Sequence, residues 1–251
     1  MSLFYLANIR LPTEKAHGIQ IMHTGAALAV AGVNITLIVP TRKNTIAENP
    51  FEYYGTHYGI PETENFSLLT LWCPDFVPFG KFGAKLQALC FALRVFFFAL
   101  FHTAHTDILY ARHEALLFLP SIFLGNPIFW ESHNGAFSFL TKRVARCANG
   151  IISLTKGGRD FYISKSVPAE KILVAEDGVD AEKFAVKETT EDCREKLGLP
   201  NNGKIVGYIG VGSIGIYDWK GVDTFLNASR LDPETIFLLV GGGREEAVRK
   251  M

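Results

Sequence analysis

Four glycine-containing turns hold the residues of this chain that could bind an anion: His17-Gly18-Ile19, Glu131-Ser132-His133-Asn134-Gly135, Asp218-Trp219-Lys220-Gly221 and Gly241-Gly242-Gly243-Arg244. Each follows an apolar run that reads as a strand, and three of the four lead into a helix-like stretch. A glycine at such a turn lets the backbone approach a diphosphate, and the helix N-terminus supplies oriented N–H groups. Lys220 adds a compact positive charge. Taken singly, each glycine needs no more than a tight turn to explain it. Together, at strand ends and with His133 and Lys220 among them, they point to an anionic ligand held between two domains.

Other chemistries are excluded by spacing. Gly210-Val211-Gly212-Ser213-Ile214-Gly215 matches GxGxxG, but Ile216-Tyr217-Asp218-Trp219 intervene before any helix. The following strand ends in Val240-Gly241, where a dinucleotide site needs an acidic residue. A flexible glycine-rich loop fits better. Gly198 to Lys204 nearly spells a P-loop, yet Ile205 stands where Ser or Thr must hold magnesium, and the segment precedes a strand. No HExxH and no GxSxG occur, and His102 and His105 lack a third ligand nearby. No metal and no cofactor are therefore expected.

The elements that must position these turns alternate. Strands are expected at 3–9, 33–40, 66–72, 107–111, 127–131, 150–154, 171–175, 204–209 and 235–240, with helices at 19–31, 84–101, 114–124, 139–148 and 158–165. Several strands are solidly apolar, as in Ile35-Thr36-Leu37-Ile38-Val39, which suits parallel strands buried on both faces. The rhythm predicts an α/β fold with a doubly wound parallel sheet and no antiparallel pairs. From Ala185 to Gly203 the chain turns polar, and strand–loop–helix–strand then begins afresh. This divides the chain into a Rossmann-like domain at 1–185, a linker at 186–203 and the opening of a second Rossmann-like domain at 204–251.

Composition narrows the partners. Of 251 residues, 25 are Lys or Arg and 25 are Asp or Glu, so the net charge is zero and no basic footprint for nucleic acid exists. The four cysteines are scattered and read as reduced thiols in a cytoplasmic protein. The first residues lack a basic region and Arg10 interrupts the apolar stretch, so no signal peptide is expected. Within residues 82–101 the longest apolar run, Leu86 to Phe101, is 16 residues and contains Gln87 and Arg94, so a spanning helix is not expected. Periodicity fits a core helix best, and a helix in peripheral contact with the inner face of a membrane has the same pattern.

In this order and spacing the segments resemble the retaining glycosyltransferases of family 4, which have the GT-B fold of two facing Rossmann-like domains. The resemblance runs from Leu6–Ile19 through Asp107-Ile108-Leu109-Tyr110-Ala111-Arg112, Glu131-Ser132-His133 and Glu176-Asp177-Gly178-Val179-Asp180. It continues to Val206-Gly207-Tyr208-Ile209-Gly210, Lys220-Gly221-Val222-Asp223 and the Gly241–Gly243 turn. It implies a sugar moved from a nucleotide-diphosphate donor to a saccharide or lipid-linked acceptor, with retention and without metal. Gly18 would lie at the diphosphate–acceptor junction, His133 beside the transferred sugar, and Lys220, Gly241 and Gly243 near the donor diphosphate. His133 would orient a hydroxyl rather than attack, since no neighbour in sequence activates it.

Two departures stand out. Val211 occupies the place where the family usually has Arg, and the family's glutamate-rich donor motif lies beyond residue 251. The resemblance therefore implies weak donor binding by these residues alone. Sugar-nucleotide 2-epimerases share the GT-B fold, and an inactive fragment or binding module remains the third alternative.

Overall fold

The computed structural model describes residues 1–43, 45–133, 137–210 and 220–241. The chain divides into two compact units, Met1–Gly178 and Val179–Met251. The first contains β1 (Leu3–Leu6), α1 (Ala16–Val30), β2 (Ile35–Pro40), α2 (Pro50–Tyr58), β3 (Phe66–Leu71), α3 (Gly80–His102) and β4 (Ile108–Ala111). It continues with α4 (Glu114–Phe118), α5 (Pro120–Phe123), β5 (Ile128–Ser132), α6 (Phe139–Cys147), β6 (Gly150–Ser153), α7 (Lys156–Ser164) and β7 (Ile172–Val174). The second unit contains α8 (Thr190–Lys196), β8 (Ile205–Ile209), α9 (Val222–Leu231) and β9 (Ile236–Val240).

The seven strands of the first unit form one sheet in the order β3-β2-β1-β4-β5-β6-β7. Every described pairing is parallel, as expected. Helices cover both faces because successive strand residues point to opposite sides. Tyr5, Leu37 and Val39 pack with Ile21, Met22 and Ala26 of α1 and Tyr54 of α2. Leu6, Ile38, Leu109 and Trp130 face the other way, onto Phe91 and Val95 of α3, Leu117 of α4, Val144 of α6 and Tyr162 of α7. Since all strands run one way, their carboxyl ends line a single edge. At that edge the connections diverge from β1: one path runs outward to β2, while β4 enters on the other side. This divergence is a topological switch point.

Local chemistry explains where the elements depart from expectation. The 114–124 helix divides into α4 and α5 at Leu119-Pro120, where Pro120 supplies no N–H to continue the ladder. Residues 41–65, between the expected strands 33–40 and 66–72 and without an expected helix, contain α2. Its start is set by Asn49, whose side chain accepts from the N–H groups of Phe51 and Glu52, and its end by Gly59 at φ 65°. The stretch expected as a linker contains α8, opened by a reciprocal capping box between Thr189 and Asp192.

The second unit pairs β8 with β9 in parallel, Ile205 opposite Ile236. Val222 and Leu226 of α9 pack on Tyr208 and Leu239.

Glycines report how closely α3 is seated. A Cβ at Gly83 would lie 1.9 Å from the Phe76 carbonyl oxygen, whereas one at Gly55 in α2 would meet only ordinary contact at 3.6 Å. Gly83→Ala should lower urea-unfolding stability by about 1–3 kcal/mol, as overpacking does. Gly55→Ala should raise it by up to about 1 kcal/mol through helix propensity.

Candidate functional site

The switch-point edge is built from three strand ends and the loop that follows β1. That loop, residues 7–15, includes a cis Leu11–Pro12 bond. Tyr54 of α2 holds it: the hydroxyl donates to the Thr13 carbonyl at 2.9 Å and accepts from the Thr13 N–H at 3.0 Å. Burial pushes the Tyr54 hydroxyl up to about 12, so it stays protonated and able to donate.

Gly18 lies buried in the first turn of α1, and its own N–H bonds the Lys15 carbonyl at 2.9 Å. A Cβ there would stand 2.3 Å from Thr13 Cγ2 and 2.7 Å from the Tyr54 hydroxyl. The glycine is therefore required by the clamp on the loop. The N-terminus of α1 has no side-chain cap.

His133 directly follows β5. Arg112, directly after β4, reaches both of its ring nitrogens, Nε to Nε2 at 2.8 Å and Nη2 to Nδ1 at 3.0 Å. Glu131, two residues back on β5, meets His133 Nε2 in a short contact and lies 3.5 Å from Arg112 Nε. The Tyr110 hydroxyl donates to the other Glu131 oxygen, and its ring packs 4.6 Å from that of Tyr5. Arg112 also donates to the His17 carbonyl at 3.4 Å. One guanidinium thus ties the start of α1 to the end of β5, bringing the Gly18 turn and His133 together.

The electrostatics follow from burial. Glu131 is 4% exposed. Burial pushes its carboxyl up, but the bonds from His133 and Tyr110 and the Arg112 charge outweigh that and hold it below its ordinary value. Burial first, and then Glu131, push the Tyr5 hydroxyl above its ordinary value. The Tyr110 hydroxyl is likewise pushed up, by burial first and then by Tyr5 and Glu131. Burial and then the Arg112 charge lower both His17 and His113, which favours their neutral forms.

Lys220 and Gly241 belong to the second unit. Lys220 is half-buried and precedes Gly221, the left-handed N-cap of α9 at φ 72°. Gly241 follows β9 at φ 136°, and a Cβ on it would stand 1.8 Å from the Gly210 carbonyl oxygen. Its backbone conformation and this close approach both demand glycine. Gly243 lies outside the described residues. Among the described residues no cluster of metal-ligating side chains occurs.

In the sequence Arg112, Glu131 and Tyr110 stand out only as parts of longer segments, and His133 has no partner adjacent to it. The available signal was a charged residue ending each of two apolar strands. Thr13 and Tyr54 carry none, because their pairing depends on α2, which no long apolar stripe announces.

The fold has counterparts among solved structures. Anabaena HepE in complex with UDP-glucose superposes with a TM-score of 0.62 at 18% identity, over 100% of this chain and 64% of that one. The fold is GT-B. The catalytic domain of starch synthase IV from Arabidopsis thaliana, bound to ADP and acarbose, gives 0.62 at 14% identity, covering 99% of this chain and 70% of that one. A putative UDP-N-acetylglucosamine 2-epimerase from Listeria monocytogenes gives 0.59 at 10%, covering 99% and 65%. At these identities the likeness is one of fold, and this GT-B chain spans less than two thirds of the length of HepE. No family profile and no curated protein matches the sequence.

Two outcomes are expected from the cluster. Glu131→Gln should cost roughly 3–5 kcal/mol at neutral pH, since it leaves a buried guanidinium without its carboxylate. The depressed Glu131 carboxyl contributes stability above about pH 4.5, which is lost as pH falls through its folded value. The gap between wild type and variant, read by urea unfolding, should therefore narrow below that pH. Gly18→Ala should lower stability by about 1–3 kcal/mol, and the same change in a Tyr54→Phe background should cost less because one clash is removed.

Proposed function

We propose that this chain is the acceptor-side domain, with the opening of the donor-side domain, of a retaining glycosyltransferase. It would move a hexosyl group from a nucleotide-diphosphate sugar to a saccharide or lipid-linked acceptor. The observation that carries the reading is the Arg112–Glu131–His133 cluster at the switch point of a GT-B sheet, where ligands of open parallel sheets bind. Likeness in fold to proteins solved with UDP-glucose and with ADP supports the same donor class.

In this reading His133 orients a sugar hydroxyl. Arg112 donates from Nε to Nε2 at 2.8 Å and its Nη2 lies 3.0 Å from Nδ1, while Glu131 also meets Nε2. With both nitrogens engaged by Arg112 and Glu131 the imidazole is a positioned group rather than a nucleophile, and it would orient a hydroxyl by giving up one of these contacts. The uncapped start of α1, beside Gly18, presents backbone N–H groups to an anion. Lys220, with the Gly241 and Gly243 turn, would meet the charge that develops on the leaving diphosphate. No metal or cofactor is required for such electrostatic stabilisation, and the protein would work in the cytoplasm.

The second reading, a nucleotide-sugar 2-epimerase, is favoured by the Listeria likeness and differs in needing no acceptor. The test measures nucleoside diphosphate release from UDP- and ADP-sugars, with and without saccharide acceptors, in the 251-residue chain and in versions extended past residue 251. Acceptor-dependent release, strongest in an extended version and with the donor's anomeric configuration kept in the product, supports transfer. An isomerised nucleotide sugar without acceptor supports the epimerase. In the active version, Lys220→Ala and His133→Ala should each lower kcat/KM on the order of 10²-fold, as for loss of one preorganised contact. Activity untouched by both substitutions would place the site elsewhere.

A further inference from the structure

The helix α3 is buried on one narrow stripe only. Its buried residues are Gly83, Gln87, Phe91, Ala92, Val95 and Ala99, of which the last four join the core shared with the sheet. The opposite side carries a second apolar stripe, Phe82, Leu86, Leu89, Leu93, Phe97 and Leu100, whose members are all exposed, with Phe82 at 78% and Phe97 at 51%. The periodicity that suggested a core helix thus describes two faces, and the structure covers one. The exposed stripe continues onto α5, where Phe123 packs against Phe96 with ring centroids 5.8 Å apart and is itself 66% exposed. On α6, Phe139 is also exposed.

The charges carried by α3 itself have one sign. Between Phe76 and Thr106 the chain has Lys81, Lys85 and Arg94 and no Asp or Glu. On a helical wheel Lys85 and Arg94 fall on opposite flanks of the exposed stripe. Arg94 also sits over the ring of Trp72, 5.6 Å from its centroid, and Trp72 is 65% exposed. Helix α6 adds Lys142, Arg143 and Arg146, again without an acid. Asp75, which accepts from the Val77 N–H at 3.3 Å, and Asp107, which accepts from the Ala104 N–H at 2.9 Å, bracket the segment, and Glu114 of α4 accepts from Thr141 at 3.3 Å. The whole chain carries no net charge, so this asymmetry is local.

We propose that the α3 face rests on an anionic phospholipid surface, with the helix lying in the membrane plane. Apolar side chains flanked by basic ones, with an aromatic residue at the margin, fit the boundary between head groups and acyl chains. The segment Val77–His102 is long and apolar enough to cross a bilayer by composition. Crossing would strip Phe91, Val95 and Ala99 from the core that they share with Leu6, Ile38 and Trp130. This inference is independent of the transfer reaction.

The test is flotation of the 251-residue chain with phosphatidylcholine vesicles, with and without phosphatidylglycerol, at low and high salt. Binding to the anionic vesicles should exceed binding to the neutral ones by about tenfold or more and weaken with salt. Phe82→Ser combined with Phe97→Ser should abolish it while leaving the circular dichroism spectrum unchanged. Lys81→Gln combined with Lys85→Gln should remove most of its salt dependence. Trp72 emission should shift to the blue on binding, and Trp72→Phe should remove that change. Equal or absent binding on both vesicle types, or binding indifferent to the Phe pair, overturns the proposal in favour of a protein partner. Self-association that the Phe pair dissolves, without vesicle binding, overturns it in favour of a second copy. Resistance to alkaline carbonate overturns it in favour of a spanning helix.

Discussion

Glu131 is a carboxylate buried at the end of a central strand, and that placement constrains everything around it. An unpaired buried charge costs far more than a small domain can spare, so its oxygens must be met from nearby elements. His133 comes from the same strand, Tyr110 and Arg112 from the neighbouring β4, and Arg112 in turn reaches the His17 carbonyl at the start of α1. The β4–β5 register, Tyr110 opposite Phe129 and Ala111 opposite Trp130, sets these groups at the same height on the sheet edge. A one-residue slip would turn Tyr110 and Glu131 to the wrong faces. The cluster therefore fixes the register as much as the register fixes the cluster.

The same logic separates what could be read from the chain from what could not. Strands of this kind are short apolar runs, so all nine were legible, each shortened at one end or both, with β5 also gaining Ser132. Helix α2 was not, because residues 41–65 are mixed in polarity and show no long stripe. Its signals were local: Asn49 before Pro50, and Gly59 after Tyr58. The stretch from 186 to 203 is strongly charged and reads as solvated chain, although Thr189 and Asp192 have the capping-box spacing. In both places a cap mattered more than composition.

The site divides in a similar way. His133 was legible as a polar residue breaking an apolar run, and Gly18 and Lys220 as residues at strand-to-helix turns. The partnership of Arg112 with His133 spans 21 positions and exists only because β4 and β5 are neighbours. Sequence order cannot supply adjacency between strands that are joined through helices. Helix α3 shows the complementary limit. Its apolar residues repeat at helical spacing on two faces, and only the packing reveals which one meets the sheet.

The glycines carry the last step. Gly18 and Gly241 were singled out for closeness to a ligand, yet each has a sufficient steric reason within its own unit. Gly18 leaves room for the Tyr54–Thr13 clamp, and Gly241 for the Gly210 carbonyl. These reasons do not compete with anion binding. A helix start can present N–H groups in a fixed direction only if the loop before it is held, and for α1 that loop is held by the clamp that Gly18 permits. Arg112 then fixes the first turn of the same helix to the end of β5. Electrostatic stabilisation depends on dipoles that need not reorganise when charge develops. The packing that makes Gly18 indispensable to the fold is thus what would make the turn beside it useful to a diphosphate.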